Sequence, residues 1–268
     1  MLSSMSDDAA GAAPVALVTM EIRHPATDSL SESSTAALKE LLLDELPIER
    51  QAQDAAWAAS PGGGPTLATE SFARFLNQDN TLAASMRSQA IVIETTAYSD
   101  FVTLVEVAMR VLDARHAVSP VAGVERVGLR YILELRASAG RHGRVEWTDW
   151  IAEPLLGPQR IAPDTLSLTE LQGAAVYQET QPGRSMILRY GPGMGQALDP
   201  NFYLRRTLPV DAGPFFLLDI DSFWTPVRQI PEYDGDVVLS TFEALCEPAH
   251  TAFQQMLSSR LQDELVIR

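Results

Sequence analysis

Apolar residues in the first half of the chain recur at intervals of two in some segments and of three to four in others. This pattern predicts strands interleaved with helices. Residues 51–66 are predicted to be a loop, with a glycine-rich stretch at 62–65. The predicted strands are 15–22, 70–76, 81–87, 90–95 and 124–136. One helix is predicted from residue 28 or 29 to residue 46, where Pro47 ends it. A second helix is predicted over 101–114, with Ser99 or Asp100 as its N-cap.

The second half shows a similar but weaker pattern. Residues 168–177 are predicted to form a short helix, 186–190 and 214–223 form strands, and 204–208 is a candidate third strand. A long helix is predicted over 237–261, interrupted or kinked near Pro248. Segment 191–195, Gly-Pro-Gly-Met-Gly, is predicted to be a hairpin or a mobile surface loop that binds no nucleotide. It lacks the Lys-Ser/Thr of a nucleotide-binding loop and fits no dinucleotide fingerprint.

Together these elements predict an α+β protein with a largely antiparallel sheet and helices on one face. Residues 1–14 are expected to be a disordered acidic tail, and 15–268 a single domain. Residues 15–150 and 160–268 each contain an apolar strand that ends in acidic residues and is followed by a helix. One interpretation is that these two halves of the domain are related by duplication. The other is that the domain is one unit and the repeated alternation of strand and helix is a coincidence. In the first interpretation, a cleft at the junction of the halves is the expected binding site.

The strand around Arg126-Val127-Gly128-Leu129-Arg130-Tyr131 carries the most distinctive residues. Arg126, Gly128 and Arg130 share one face by the period of two, and the intervening residues share the other. One interpretation is an arginine face that binds a carboxylate or phosphate, with Gly128 leaving room for the ligand. The other is that Arg130 is buried and ion-paired with Glu94 or Glu134, preferably Glu94.

Asp219 and Asp221 share a strand face, and an ion pair with the arginine strand is favoured over a metal or acid–base role. No catalytic or metal-binding constellation is recognised, and Cys246 fits a buried position in a helix. Trp147 and Trp150 are expected in the core. The candidate binding residues are Arg126, Arg130, Tyr131, Glu94, Tyr98, Asp219 and Asp221.

Composition narrows the choice of partners. The net charge is −15 and the pI is near 4.6, which disfavours nonspecific nucleic-acid binding. No apolar run approaches the roughly 20 residues that span a bilayer. A single cysteine favours a reducing compartment, so a cytoplasmic location is expected.

The Arg-x-Gly-x-Arg-Tyr strand resembles that of a sporadically distributed bacterial and archaeal family of uncharacterised soluble proteins. The Leu218-Asp219-Ile220-Asp221 strand, Tyr98, and the closing helix with His250 and Phe253 also look like the family. The family usually has an Asn where Leu133 stands here. The resemblance implies no reaction, cofactor or substrate, and the family's patchy distribution suggests an accessory or defence-associated role.

These observations predict a non-enzymatic cytoplasmic binding or regulatory protein. Its partner is expected to be a protein, and no cofactor is expected. The alternative is a small-molecule sensor or an enzyme that uses a cleft between the halves. Neither the identity of the partner nor the oligomeric state follows from the sequence.

Overall fold

A computed structural model describes residues 15–58, 66–136, 145–157, 170–199, 201–207, 211–259 and 261–262. The predicted tail at 1–14 and the glycines at 62–64 lie outside these ranges. The strands are β1 (Val15–Arg23), β2 (Ile48–Ala58), β3 (Thr66–Leu76), β4 (Leu82–Met86), β5 (Ala90–Thr95), β6 (Arg126–Leu135), β7 (Gly173–Gln178), β8 (Arg184–Gly195) and β9 (Gly213–Trp224). The helices are α1 (Glu32–Leu41), α2 (Phe101–Val118), α3 (Glu153–Leu156) and α4 (Gly235–Met256).

The nine strands form one antiparallel sheet in the order β2-β3-β4-β5-β1-β6-β9-β8-β7. The helices pack on one face of it, and α2 contacts both α1 and α4. The predicted fold class, an antiparallel α+β sheet with helices on one face, is therefore confirmed. No helix of the described residues is long and apolar enough to cross a membrane.

The two long helices begin at side-chain caps. Asp100 accepts a hydrogen bond from the Thr103 amide at 2.8 Å, and Asp234 caps α4 in the same way from the amides of Asp236 and Val237. Apolar residues at helical spacing on each helix then face the sheet, among them Leu104, Val111, Phe242 and Leu245. Pro248 lies inside α4, and the helix continues through it, so the predicted interruption is wrong, whereas a kink there stays a prediction.

Four sequence-based assignments are wrong. Much of the predicted loop 51–66 belongs to β2 and β3, which pair along their full length as a hairpin. Residues 173–177 of the predicted short helix form the edge strand β7 instead. The glycine-rich segment 191–195 is the end of β8, where it pairs with β9. The described residues of 204–208 lie outside the strands of the sheet.

Strands β1 and β6 are neighbours near the middle of the sheet. The sheet continues beyond β1 with β5, β4, β3 and β2, and beyond β6 with β9, β8 and β7. On each side, the strands that come later in the chain therefore lie nearer the middle. In the chain, β5 leads into α2 and β9 leads into α4, and both helices lie on the same face of the sheet. This order is compatible with two related halves, but the duplication itself stays a prediction.

Candidate binding site on the charged face of the sheet

The residues of β6 alternate strictly between the two faces of the sheet. Val127, Leu129 and Tyr131 pack in the core beneath the helices, with relative exposures of 1%, 0% and 7%. Arg126, Gly128 and Arg130 lie on the opposite face, as the period of two predicts. We call this opposite face the charged face, and its ionic side chains come from the central strands: Glu21, Glu94, Arg126, Arg130, Glu134, Arg189, Asp219 and Asp221.

Arg130 forms a bidentate ion pair with Asp219 of β9. Its Nε and Nη2 atoms donate to the two carboxylate oxygens at 2.7 and 2.8 Å. Arg189 of β8 reaches the same carboxylate at 3.4 Å. The side chain of Asp219 is 5% exposed, whereas those of Arg130 and Arg189 are 43% and 45% exposed. The hydrogen bonds to Asp219 raise the pKa of Arg130 above its ordinary value.

The expectation that Arg130 is substantially buried and paired with Glu94 is therefore wrong. Strand β1 lies between β5 and β6, and Thr19 opposes both Glu94 and Arg130. Two strand spacings, about 10 Å, separate the two backbones, and the Arg130 guanidinium bonds Asp219 on the adjacent strand β9. Glu94 instead accepts a hydrogen bond from the phenol of Tyr203.

The position of the Arg126 side chain explains why residue 128 of β6 is a glycine. Its guanidinium bonds Glu21 of β1 at 2.6 Å and Asp221 of β9 at 2.8 Å. To reach both strands it lies directly over Gly128, where a Cβ would come within 2.8 Å of the guanidinium carbon. The guanidinium also stacks on Phe223, 4.6 Å from the ring centre. The space above Gly128 is therefore filled by Arg126 and does not accommodate a ligand, which corrects the first interpretation of this glycine.

Glu134 is the most deeply buried acid of this face, with no exposed side-chain area. It accepts hydrogen bonds from the Arg136 Nε atom at 2.7 Å, from Arg206 at 2.7 Å and from the Ala197 amide at 2.9 Å. Burial alone would raise the pKa of Glu134, but these hydrogen bonds outweigh burial and lower the pKa. The sequence suggested Glu134 as a partner of Arg130, and that pairing is also wrong.

Residues 196–199 and 201–207, which we call the covering segment, lie over the β4–β5–β1 part of the charged face. Leu198 and Leu204 pack there in a small apolar cluster with Leu17, Leu76 and Ala83. Tyr203 stacks under the Arg74 guanidinium, 3.5 Å from the ring centre. Asn80 donates to the Tyr203 carbonyl at 2.8 Å, which fixes the segment to the β3–β4 turn. Sequence reasoning missed this segment, because its few apolar residues follow no strand or helix period.

Beyond the covering segment, a groove of about 710 Å³ lies over β7, β8 and β9. Arg130 does not line this groove, but it shares the Asp219 carboxylate with Arg189, which does. Arg189 lines the groove together with Gly191, Gly193, Phe215 and Leu217. Gly191 has a φ of 155°, and a Cβ there would overlap the Leu171 carbonyl. The glycine-rich segment therefore lets residues 170–173 lie close to β8 and gives the groove its floor.

Tyr98 and Tyr131 lie on the helix side of the sheet, away from the arginines. Their rings meet edge to face, with centres 5.7 Å apart, and the Tyr131 hydroxyl lies 3.8 Å from the sulfur of Cys246. Burial raises the pKa of Tyr98 to about 12 and raises the pKa values of Tyr131 and Cys246. The thiol is half-buried, not fully buried as expected. Trp147 is buried against Phe216, as expected of a core residue, and Trp150 is partly buried.

The predicted site residues therefore separate into two groups. Both tyrosines line a cavity of about 20 Å³ between the central strands and α4, with Val15, Leu133, Ile220 and Phe253 among its other walls. This volume accommodates about one water molecule, so this cavity is not the expected ligand-sized cleft. Asp219 and Asp221 lie with the arginines on the charged face, and the favoured ion pairs between these acids and the arginine strand are confirmed.

Within the described ranges, no group of three or more His, Cys, Asp or Glu side chains is arranged to hold a metal ion. No protein-family model matches the chain, and no curated protein or solved structure matches it either. The resemblance to a sporadically distributed family stays a prediction, and function has to be argued from the charged face itself.

Proposed function

We propose that the protein is a non-enzymatic binding or regulatory protein of the cytoplasm that binds a protein partner through the open part of its charged face. One observation carries the proposal: Arg130 and Arg189, both nearly half exposed, share the single buried carboxylate of Asp219. The N–H donors of the two guanidinium groups outnumber the acceptor sites of this one carboxylate. The single cysteine supports the location.

Asp219 holds both guanidinium groups in place, and their exposed edges still have free donors for an incoming carboxylate. Arginine binds carboxylates with two parallel hydrogen bonds, so the pair is suited to an aspartate or glutamate side chain. A partner that presents acidic residues is therefore the complementary occupant.

The adjacent groove adds a surface for the chain that carries those acids. It runs from Arg189 past Gly191 and Gly193 and has the apolar side chains of Phe215 and Leu217 on one wall. An extended segment with an acidic residue beside an apolar one would place its carboxylate at Arg130 and Arg189 and its apolar side chain in the groove. The charged contact provides specificity, and the apolar contact provides buried area.

Comparative affinity capture from the native host tests the proposal. Wild type, the double variant Arg130→Gln/Arg189→Gln, and Arg110→Gln serve as baits, and captured proteins are identified by mass spectrometry. Arg110 is a matched control, because its side chain is 51% exposed but lies on α2 and pairs with Glu45. We expect a partner that wild type and the control retain and that the double variant loses, with binding that weakens as salt is raised.

The double variant removes both guanidinium partners of the buried Asp219 carboxylate and should destabilise the fold, so its folding is checked by circular dichroism before capture. The single variant Arg189→Gln keeps the bidentate Arg130–Asp219 pair and serves as the bait if the double variant does not fold. Identical sets of proteins from all three baits would contradict the proposal. The alternative function, a small-molecule sensor or an enzyme, is favoured by the size of the groove, because ligand pockets typically measure about 300–1,000 Å³. An anionic small molecule released from wild type but not from the double variant would establish that alternative.

A further inference from the structure

Arg115 is a buried cation without an acidic partner. It lies in the last turn of α2, on the helix side of the sheet, and only 1% of the residue is exposed. Its Nη1 atom donates to the Ser119 carbonyl, while its buried Nε atom has no hydrogen-bond partner. None of the ion pairs among the described residues includes Arg115. A buried guanidinium cannot lose its proton, so its charge has to be compensated by other means.

The Arg115 side chain lines a partly enclosed polar cavity of about 60 Å³. Arg87 lines the same cavity, and its Nε atom is also buried without a partner. The other polar residues that line the cavity include Thr35, Ser71 and Ser88. The volume is about four to six times what one water molecule requires.

The acids close to this cavity do not neutralise Arg115. Asp54 pairs with the Nη2 atom of Arg87. Asp28 lines the cavity but is an exposed residue and forms no ion pair with Arg115. Glu70 accepts a hydrogen bond from the Ser88 amide at 2.5 Å and forms no ion pair with Arg115. The Arg115 guanidinium therefore lies at this cavity without an acidic partner.

We infer that this cavity, which we call the Arg115 cavity, is a binding site for a small oxyanion of the size of phosphate. Two guanidinium groups and several hydroxyl-bearing residues around a small volume are complementary to an oxyanion, because each can donate to an anionic oxygen. The positive charges of Arg87 and Arg115 would repel a metal cation. The site lies on the helix side of the sheet, so it is independent of the partner surface around Arg130 and Arg189.

Thermal unfolding and calorimetric titration with inorganic phosphate test the inference, with potassium chloride at equal ionic strength as the reference. Sulfate and acetate are tested in parallel to separate a tetrahedral anion from a carboxylate. We expect phosphate at a hundred times its Kd to raise the Tm of wild type by about 5–10 °C relative to chloride.

Arg115→Met should abolish the phosphate-dependent rise, because the substitution keeps much of the side-chain volume and removes the charge. Arg110→Met, on the exposed side of the same helix, should retain the rise. Arg87→Gln should weaken phosphate binding about tenfold. Because the Arg87 side chain is 29% exposed, this variant is easier to tolerate than Arg115→Met and tests the site if Arg115→Met fails to fold.

The inference is overturned if none of these oxyanions stabilises wild type beyond chloride, since the cavity would then hold water only. It is also overturned if Arg115→Met, or Arg87→Gln in its place, responds to phosphate as wild type does. The double variant Arg130→Gln/Arg189→Gln should keep the full phosphate response. If this double variant loses the phosphate-dependent rise in Tm, the anion binds at the charged face and not in the Arg115 cavity.

Discussion

Leu129 and Arg130 are neighbours in β6, yet they face two different environments. Leu129 is fully buried beneath the helices, whereas the Arg130 side chain is 43% exposed on the charged face. The first face is held by apolar area removed from water, and the second by ion pairs that solvent partly screens. We therefore expect substitutions beneath the helices to affect stability most, and substitutions at the open part of the charged face to affect binding more than stability.

The largest effect is expected from Leu129→Ala. Removing a fully buried leucine from a central strand costs about 2–5 kcal/mol, because the cavity left behind closes only in part. Urea denaturation monitored by circular dichroism measures the loss. Ile132→Ala is the matched control in the same strand, since Ile132 lies on the charged face and is only partly buried. Equal losses for the two variants would contradict the contrast between the faces.

Glu134→Gln should have the next largest effect. Glu134 is an exception on the charged face, because its buried carboxylate is surrounded by Arg136, Arg206 and the Ala197 amide. Replacing a charged acceptor by a neutral amide should cost about 1.5–3 kcal/mol of unfolding free energy. The matched control is Glu21→Gln, where the carboxylate is 19% exposed and the loss should be smaller.

The pH dependence of Glu134→Gln sharpens this result. The pKa of Glu134 is lower in the folded state than in the unfolded state, where it is about 4.3. The carboxylate therefore contributes its full stability above pH values of about 4.3. This contribution is lost as the pH falls through the lower pKa of the folded state. The difference in Tm between wild type and variant should be constant from about pH 7 to 5 and should shrink below about pH 4. A difference that grows on acidification would contradict the lowered pKa.

The helices were predictable because their signals are local. Asp100 caps α2, and the apolar stripe that follows it faces the sheet, as its spacing requires. Strand β2 was missed because its alanine- and glutamine-rich sequence has little strand preference, and pairing with β3 determines its conformation. Strand β7 was missed because it is an edge strand, where most positions are exposed and burial leaves no clear period.

The charged face was predictable only in part. The period of two placed Arg126 and Arg130 on one face, but it could not identify the neighbouring strands. The partner of Arg130 depends on β9 lying beside β6, and the pair is diagonal, since Asp219 directly opposes Ile132 and not Arg130. Such pairings follow from strand order and register, which no local pattern encodes. Arg115 fits the helical pattern of α2 without any sign that its charge is buried.

Gly128→Ala is expected to have a smaller effect than Glu134→Gln, about 1–2 kcal/mol. The added Cβ would collide with the Arg126 guanidinium and displace it from Glu21 and Asp221. The double variant Arg126→Ala/Gly128→Ala separates this collision from an intrinsic need for glycine. With Arg126 removed, Gly128→Ala should cost nearly nothing, because a strand tolerates alanine better than glycine. Additive losses in this double-mutant cycle would show that Arg126 is not the reason for the glycine.

The smallest effect is expected from Arg23→Ala, at the end of β1. Arg23 donates to Glu21 at 2.9 Å, but its side chain is 57% exposed, so water screens the pair and replaces the hydrogen bond. Glu21 also keeps its 2.6 Å ion pair with Arg126, so no acid is left without a partner. The free energy of unfolding should change by less than about 0.5 kcal/mol. A loss above about 1 kcal/mol in urea denaturation would mean that exposed arginines of this face stabilise the fold, and the division between stability beneath the helices and binding on the open face would then fail.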